Sequence, residues 1–137
     1  MYTMYQAGKR VFAGTPNGVT SVIDGVVGMR GENPNATRDC PHAVSLLSKK
    51  NFNGKNQSSD PLFNMAAQLV AAELNIGAGA YTCPVVATAI NTANGLLSKY
   101  NFNGTTHGKV TAADATIANN TAKKLDDYNN NRPGACQ

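Results

Sequence analysis

Nine residues, Leu46-Leu-Ser-Lys-Lys-Asn-Phe-Asn-Gly54, return as Leu96-Leu-Ser-Lys-Tyr-Asn-Phe-Asn-Gly104, identical at eight of nine positions and offset by 50. A chain of 137 residues with this echo is constrained to use one supersecondary unit twice, because a short helical unit cannot bury its apolar face alone. The Leu-Leu pair ends a helical pattern in each copy, and Asn-Phe-Asn-Gly has turn chemistry. The expected fold is therefore mainly α: a duplicated helix-loop-helix of four helices, with units at about 40–75 and 83–130.

The first helix is expected from about Pro41 to Lys50, with Asp39 or Cys40 at its cap and proline in the first turn. In the second, Asp60 is the predicted N-cap and Pro61 the first residue. Leu62, Met65, Ala66, Leu69, Val70 and Leu74 then form an apolar stripe at three- and four-residue spacing, ending near Asn75. The third starts at Cys83-Pro84 and places Val86, Ala89, Ile90, Ala93, Leu97 and Tyr100 on one face. The fourth opens on Thr111-x-x-Asp114, a capping-box pattern, with Ile117, Thr121, Leu125 and Tyr128 facing inward.

Residues 1–39 read differently, as an extended arm and linker before the helical domain of residues 40–137. Short β-branched and aromatic runs are cut by Gly14, Pro16-Asn-Gly18 and Asp24-Gly25, and Asp-Gly between Val-Ile and Val-Val predicts a β-hairpin. On this reading residues 1–31 are dispensable for folding, and their strand edges are free to pair with a neighbouring chain.

Composition narrows the setting. Charged residues make up 15%, against an ordinary quarter or so, while Ala (19) and Asn (17) are abundant. Solubility that rests on amides rather than charges leaves little field for steering partners. The net charge is +4, but its cations are scattered in pairs and singles, which argues against a nucleic-acid surface. No apolar run approaches the length of a membrane span, so no membrane insertion is expected. No charged-then-apolar leader opens the chain, so either the chain is cytosolic or a leader has been removed and Met1 is not the natural start.

Cys83 at a predicted helix start and Cys136 near the end of the second unit form the expected structural disulfide. That pairing implies an oxidising compartment and leaves Cys40 free or intermolecular. The residues offer little chemistry. Aligning Gly54 and Gly104 with the central glycine of a calcium loop puts Lys49 and Lys99 at the first ligand position, where a carboxylate is needed. Cys40, His42, Cys83 and His107 lack zinc-site spacing, and with only two glutamates, Glu32 and Glu73, acid–base pairs are scarce. No metal, cofactor or catalytic residue is expected. Asn56-Gln-Ser58, Asn103-Gly-Thr105, Asn119-Asn-Thr121 and Asn35-Ala-Thr37 match the glycan-acceptor triplet.

From Asp60 onward, Gln68-Leu-Val-Ala-Ala-Glu-Leu-Asn75, Cys83-Pro84, Leu96-Leu97 and the closing Leu125-Asp-Asp-Tyr-Asn-Asn130 resemble the helical end region of secreted bacterial surface proteins of uncharacterised function. Residues 1–39 have no counterpart in that family. The resemblance implies a secreted or cell-surface helical module and carries no catalytic residues with it.

The functional expectation is a non-enzymatic extracellular structural or interaction module, self-assembling into a surface or filament structure. Its partners would be copies of itself, with other surface proteins or glycans as further candidates. The alternative is a ligand-recognition module, carbohydrate-binding or dockerin-like, that uses Asn51, Asn53, Asn101, Asn103 and Tyr100 in the two loops.

Overall fold

The computed structural model describes Ile23, Val26 and residues 36–136, with backbone alone for 36–40. Four helices follow in order: α1 (Ala36–Leu47), α2 (Pro61–Gly77), α3 (Pro84–Lys99) and α4 (Ala112–Asn129). The fold is mainly α, and no strand occurs among the described residues. α2 is the central element: it packs on each of the other three, and α3 also packs on α4.

α2 forms where the sequence predicts it. Asp60 Oδ1 accepts from the Leu62 amide at 2.8 Å and the Phe63 amide at 3.3 Å, and Pro61 fills the first turn, where its missing N–H costs nothing. Leu62, Met65, Ala66, Leu69 and Val70 are fully buried, and Phe63, Ala72 and Glu73 widen the buried arc beyond the predicted stripe. α3 begins at Cys83-Pro84 as expected and buries Val86, Ala89, Ala93, Leu96 and Leu97, whereas Ile90 is only partly buried. Alanines on this face let the helices approach closely.

Three predictions are corrected. α1 begins at Ala36, not Pro41, so Pro41 lies inside the helix, and it stops at Leu47 rather than Lys50. Burial of Ala43 and Leu46 against α2 secures the helix around the proline, so the two Cys-Pro pairs do not occupy equivalent positions. In α4 the buried face is Asp114, Ala118, Thr121 and Leu125, while Ile117 is 43% exposed. Thr121 and Leu125 face inward as predicted and Tyr128 packs against the core, so the correction is local: Ala118 takes the inward place expected of Ile117. Finally, Ile23 is fully buried in the core, Val26 packs against that core, and the Ile23 amide donates to Asn94 Oδ1 at 3.1 Å. Residues 1–31 therefore contribute Ile23 and Val26 to the packing of the helical core, where the sequence suggested an arm outside it. Ile23 and Val26 have helical backbone. The rest of the predicted hairpin, including Asp24-Gly25, lies outside the described residues.

All four helices end alike. In each, one residue in the left-handed region follows the helix: Lys49 (φ 57), Gly79 (φ 107), Asn101 (φ 53) and Asn131 (φ 53). The amide after it reaches back five residues, as in Lys50 N to Ser45 O at 2.9 Å and Phe102 N to Leu97 O at 2.9 Å. These are Schellman closures, which satisfy helix-terminal carbonyls that would otherwise lack donors. Glycine suits this role without a Cβ penalty, and the asparagines fit it because they tolerate left-handed geometry; Lys49 adopts it as well.

Candidate functional site

The two Asn-Phe-Asn-Gly loops lie against each other. The Phe52 amide donates to the Gly104 carbonyl at 3.0 Å, and the Phe52 ring covers Gly104 so closely that a Cβ there would stand 2.2 Å from Cε2. His42 of α1 stacks on that ring at 4.0 Å and 11°. Phe102 is buried and meets Phe63 edge-on at 4.8 Å. His107, which follows the second loop, stacks on Phe102 and places Nε2 2.6 Å from Asp60 Oδ2, the second oxygen of the carboxylate that caps α2. Phenylalanine and histidine rings thus seal the seam between the repeats.

The predicted ligand-binding asparagines have structural work in this seam. Asn51 is buried, and its Oδ1 accepts from the amides of Asn53 at 2.9 Å and Lys55 at 3.0 Å. Asn103 Oδ1 does the same for Thr105 at 2.9 Å and Thr106 at 2.8 Å. Asn101 supplies the left-handed residue that ends α3, and Asn53 is exposed. Tyr100 is buried and donates from Oη to Asp114 Oδ2, to which Lys99 Nζ also donates at 2.7 Å. The Thr111 side chain caps α4 through the Asp114 amide at 3.2 Å, but the reciprocal half of the predicted capping box is not made by Asp114. Instead the Thr111 amide donates to Tyr100 Oη at 3.3 Å. The Lys99 ammonium, then the Tyr100 hydroxyl, hold the Asp114 carboxyl below the usual carboxylate range, and Asp114 in turn raises Lys99.

At the α2–α3 connection Cys83 and Cys136 form a disulfide with a Cα–Cα distance of 5.8 Å, the pairing the sequence favours. Cys40 lies outside the described side chains. Beside the disulfide is a cleft of about 470 Å³ built from the ends of α2 and α4, the α2–α3 connection and the tail. Asn75 Nδ2 donates to Asn129 Oδ1 at 3.1 Å, and Asn129 Nδ2 donates to Gln68 Oε1 at 2.9 Å and Gln68 O at 3.0 Å. Tyr128 Oη donates to the Tyr81 carbonyl at 2.9 Å, and burial raises the Tyr128 pKa. Arg132 Nη1 is held by Asp126 at 2.5 Å and Asp127 at 2.9 Å. The Arg132 guanidinium, then the Lys123 ammonium, lower the Asp127 carboxyl.

Sequence reasoning missed this cleft because its residues come from four separated segments. The one available signal was the crowding of Asn and Tyr in Tyr128-Asn-Asn-Asn131, beside the segment that leads to Cys136. Among the described residues no group of three or more His, Cys, Asp or Glu is placed to hold a metal ion, and no helix is long and apolar enough to cross a membrane. Comparison with protein-family models, curated proteins and solved structures finds no match, so the functional reading rests on this geometry.

Proposed function

We propose that the chain is a non-enzymatic structural or interaction module of the cell exterior, and that it self-associates as a surface or filament subunit. The observation that carries this reading is the Cys83–Cys136 disulfide, which ties the tail to the start of α3. Such bonds persist in oxidising compartments and are rare in reducing ones. A surface rich in amides and hydroxyls and poor in charge supports association, since it puts up little long-range repulsion between copies. The exposed Val44 of α1 and Ile117 of α4 add apolar surface.

The non-enzymatic reading draws on what the ionisable groups already do. Asp60 caps α2 and holds His107, Asp114 joins Lys99 and Tyr100 at the start of α4, and Asp126 and Asp127 hold Arg132. Recognition through the Asn-Phe-Asn-Gly loops gains no support, because the Asn51 and Asn103 carbonyls are engaged in holding their own turns.

The test is the mass of the full chain in oxidising buffer by light scattering, with negative-stain images of the same sample. Regular particles well above the 14.3 kDa protomer are expected. A monodisperse 14.3 kDa species at all accessible concentrations refutes self-association. The same measurement on Cys40→Ser asks whether the third cysteine links the copies.

A further inference from the structure

We propose that the cleft beside the disulfide binds a neutral saccharide of one or two rings. Its volume of about 470 Å³ lies within the ordinary range for small-ligand sites, roughly 300–1,000 Å³. Among the described residues the lining contains no Leu, Ile, Val or Phe; Asn75, Tyr81, Tyr128, Asn129 and Arg132 define its chemistry. Tyrosine with asparagine is the residue mixture of adaptable polar recognition surfaces, a rigid amphipathic ring beside groups that both donate and accept.

Charge and shape choose the ligand class. Among the described residues Arg132 is the one cation in the lining, and Asp126 and Asp127 already neutralise it, so these residues offer no unspent positive charge to a phosphate or carboxylate. Amides match vicinal hydroxyls, which also donate and accept. Asn129 spends its amide on Asn75 and Gln68, and Asn75 spends its Nδ2 on Asn129, so the amide group left to a ligand hydroxyl by this pair is the Asn75 carbonyl oxygen, an acceptor. Tyr81 is 77% exposed, the most exposed of the large hydrophobic residues described, and is not among the core residues. Its ring supplies the apolar face against which the C–H side of a pyranose can lie.

The cleft is organised before any ligand arrives. The Asn75–Asn129–Gln68 chain fixes two amides, Tyr128 Oη fixes the Tyr81 backbone, and the disulfide anchors the wall that carries Cys136. Side chains already held in place lose less entropy on binding. The inference is independent of self-association, since a monomer would present the same cleft.

The test uses the full chain, labelled with 15N, titrated with cellobiose, maltose, lactose and diacetylchitobiose and followed by amide chemical shifts. At least one disaccharide is expected to move the signals of Tyr81, Asn129 and Arg132 and to saturate in the range of about 1–10 mM, as for a weak site open to solvent. Tyr81→Ala, at an exposed position, should keep the helical circular-dichroism spectrum and weaken binding roughly three- to tenfold. Asn103→Ala should leave binding unchanged. The proposal is overturned if none of the sugars moves these signals, if the shifts map to residues 101–107 instead, or if Tyr81→Ala binds as well as the parent. Inorganic phosphate that moves the same amides more tightly than any sugar would also overturn it, as the mark of an anion site.

Discussion

Gly54 and Gly104 hold the same place in the repeated sequence, yet alanine at the two sites should have quite different effects. Both glycines have positive φ, 83° and 86°, so either substitution places an L-residue in left-handed geometry at a cost of about 1–2 kcal/mol. At Gly54 a Cβ meets nothing within 4 Å. At Gly104 it meets the Phe52 ring at 2.2, 2.3 and 2.8 Å, and moving that ring disturbs its stack with His42. Displacing a packed ring adds overpacking strain of about 1–3 kcal/mol. Gly104→Ala should therefore lose about 2–5 kcal/mol in all, and the excess over Gly54→Ala measures the contact between the loops. With a urea m-value of about 2 kcal/mol/M, that excess separates the two unfolding midpoints by roughly 0.5–1.5 M. Adding Phe52→Ala to Gly104→Ala removes the clash, so a double-mutant cycle should return a coupling energy of about the same 1–3 kcal/mol. Equal midpoints for the two alanine variants, or a coupling energy near zero, would show that the loops do not pack as described.

Three further outcomes follow from the same packing. Replacing Cys83 and Cys136 together with serine frees a closure spanning 53 residues and should cost about 4 kcal/mol in the chain-entropy model, readable as a fall of roughly 10–15 °C in Tm by calorimetry. Ile23→Ala should destabilise by about 2–5 kcal/mol in chemical denaturation because its side chain is fully buried, whereas an arm that merely covers the surface would cost almost nothing. The lowered Asp114 carboxyl contributes stability that is present above its unfolded value of about 3.9 and is lost as pH falls through the folded value. Tyr100→Phe removes one of its two side-chain donors and should shift acid unfolding to higher pH. An unchanged acid midpoint would take Tyr100 out of that linkage.

What could be read from the chain alone was whatever depends on local pattern. The α2 stripe, the Asp60 cap, the Thr111 side-chain cap and the Cys83 start of α3 all follow from spacing and capping chemistry within a few residues. What could not be read depends on tertiary contact. Nothing local to Pro41 says that a helix runs through it, because the residues that hold that helix are on α2. In α4 only Ile117 was misplaced, because it is the more hydrophobic choice, whereas the buried position of that turn is taken by Ala118. The saccharide cleft was invisible for the same reason: Asn75, Tyr81 and Arg132 become neighbours only when the disulfide and the α4 Schellman turn fold the tail back.

The repeated nonapeptide itself shows how far sequence identity carries structure. α1 ends at Leu47 with Lys49 left-handed, while α3 runs to Lys99 with Asn101 left-handed, so the same eight residues stop their helix two positions apart. The turn-holding asparagine moves with the stop, Asn51 in the first copy and Asn103 in the second. The one difference inside the repeat, Lys50 against Tyr100, accounts for the shift. As the residue that ends α3, Tyr100 is buried and hydrogen-bonds Asp114 and Thr111, so two more residues of helix are stabilised by contact with α4. A lysine has no such anchor, and Lys50 instead bridges to Asn56 in a short two-residue pairing. The shift then gives the loops unlike roles: Phe102 enters the core, and Phe52 is left to lie over Gly104. A duplication that began as two equal units has thus become an asymmetric pair in which one loop serves as the packing surface for the other.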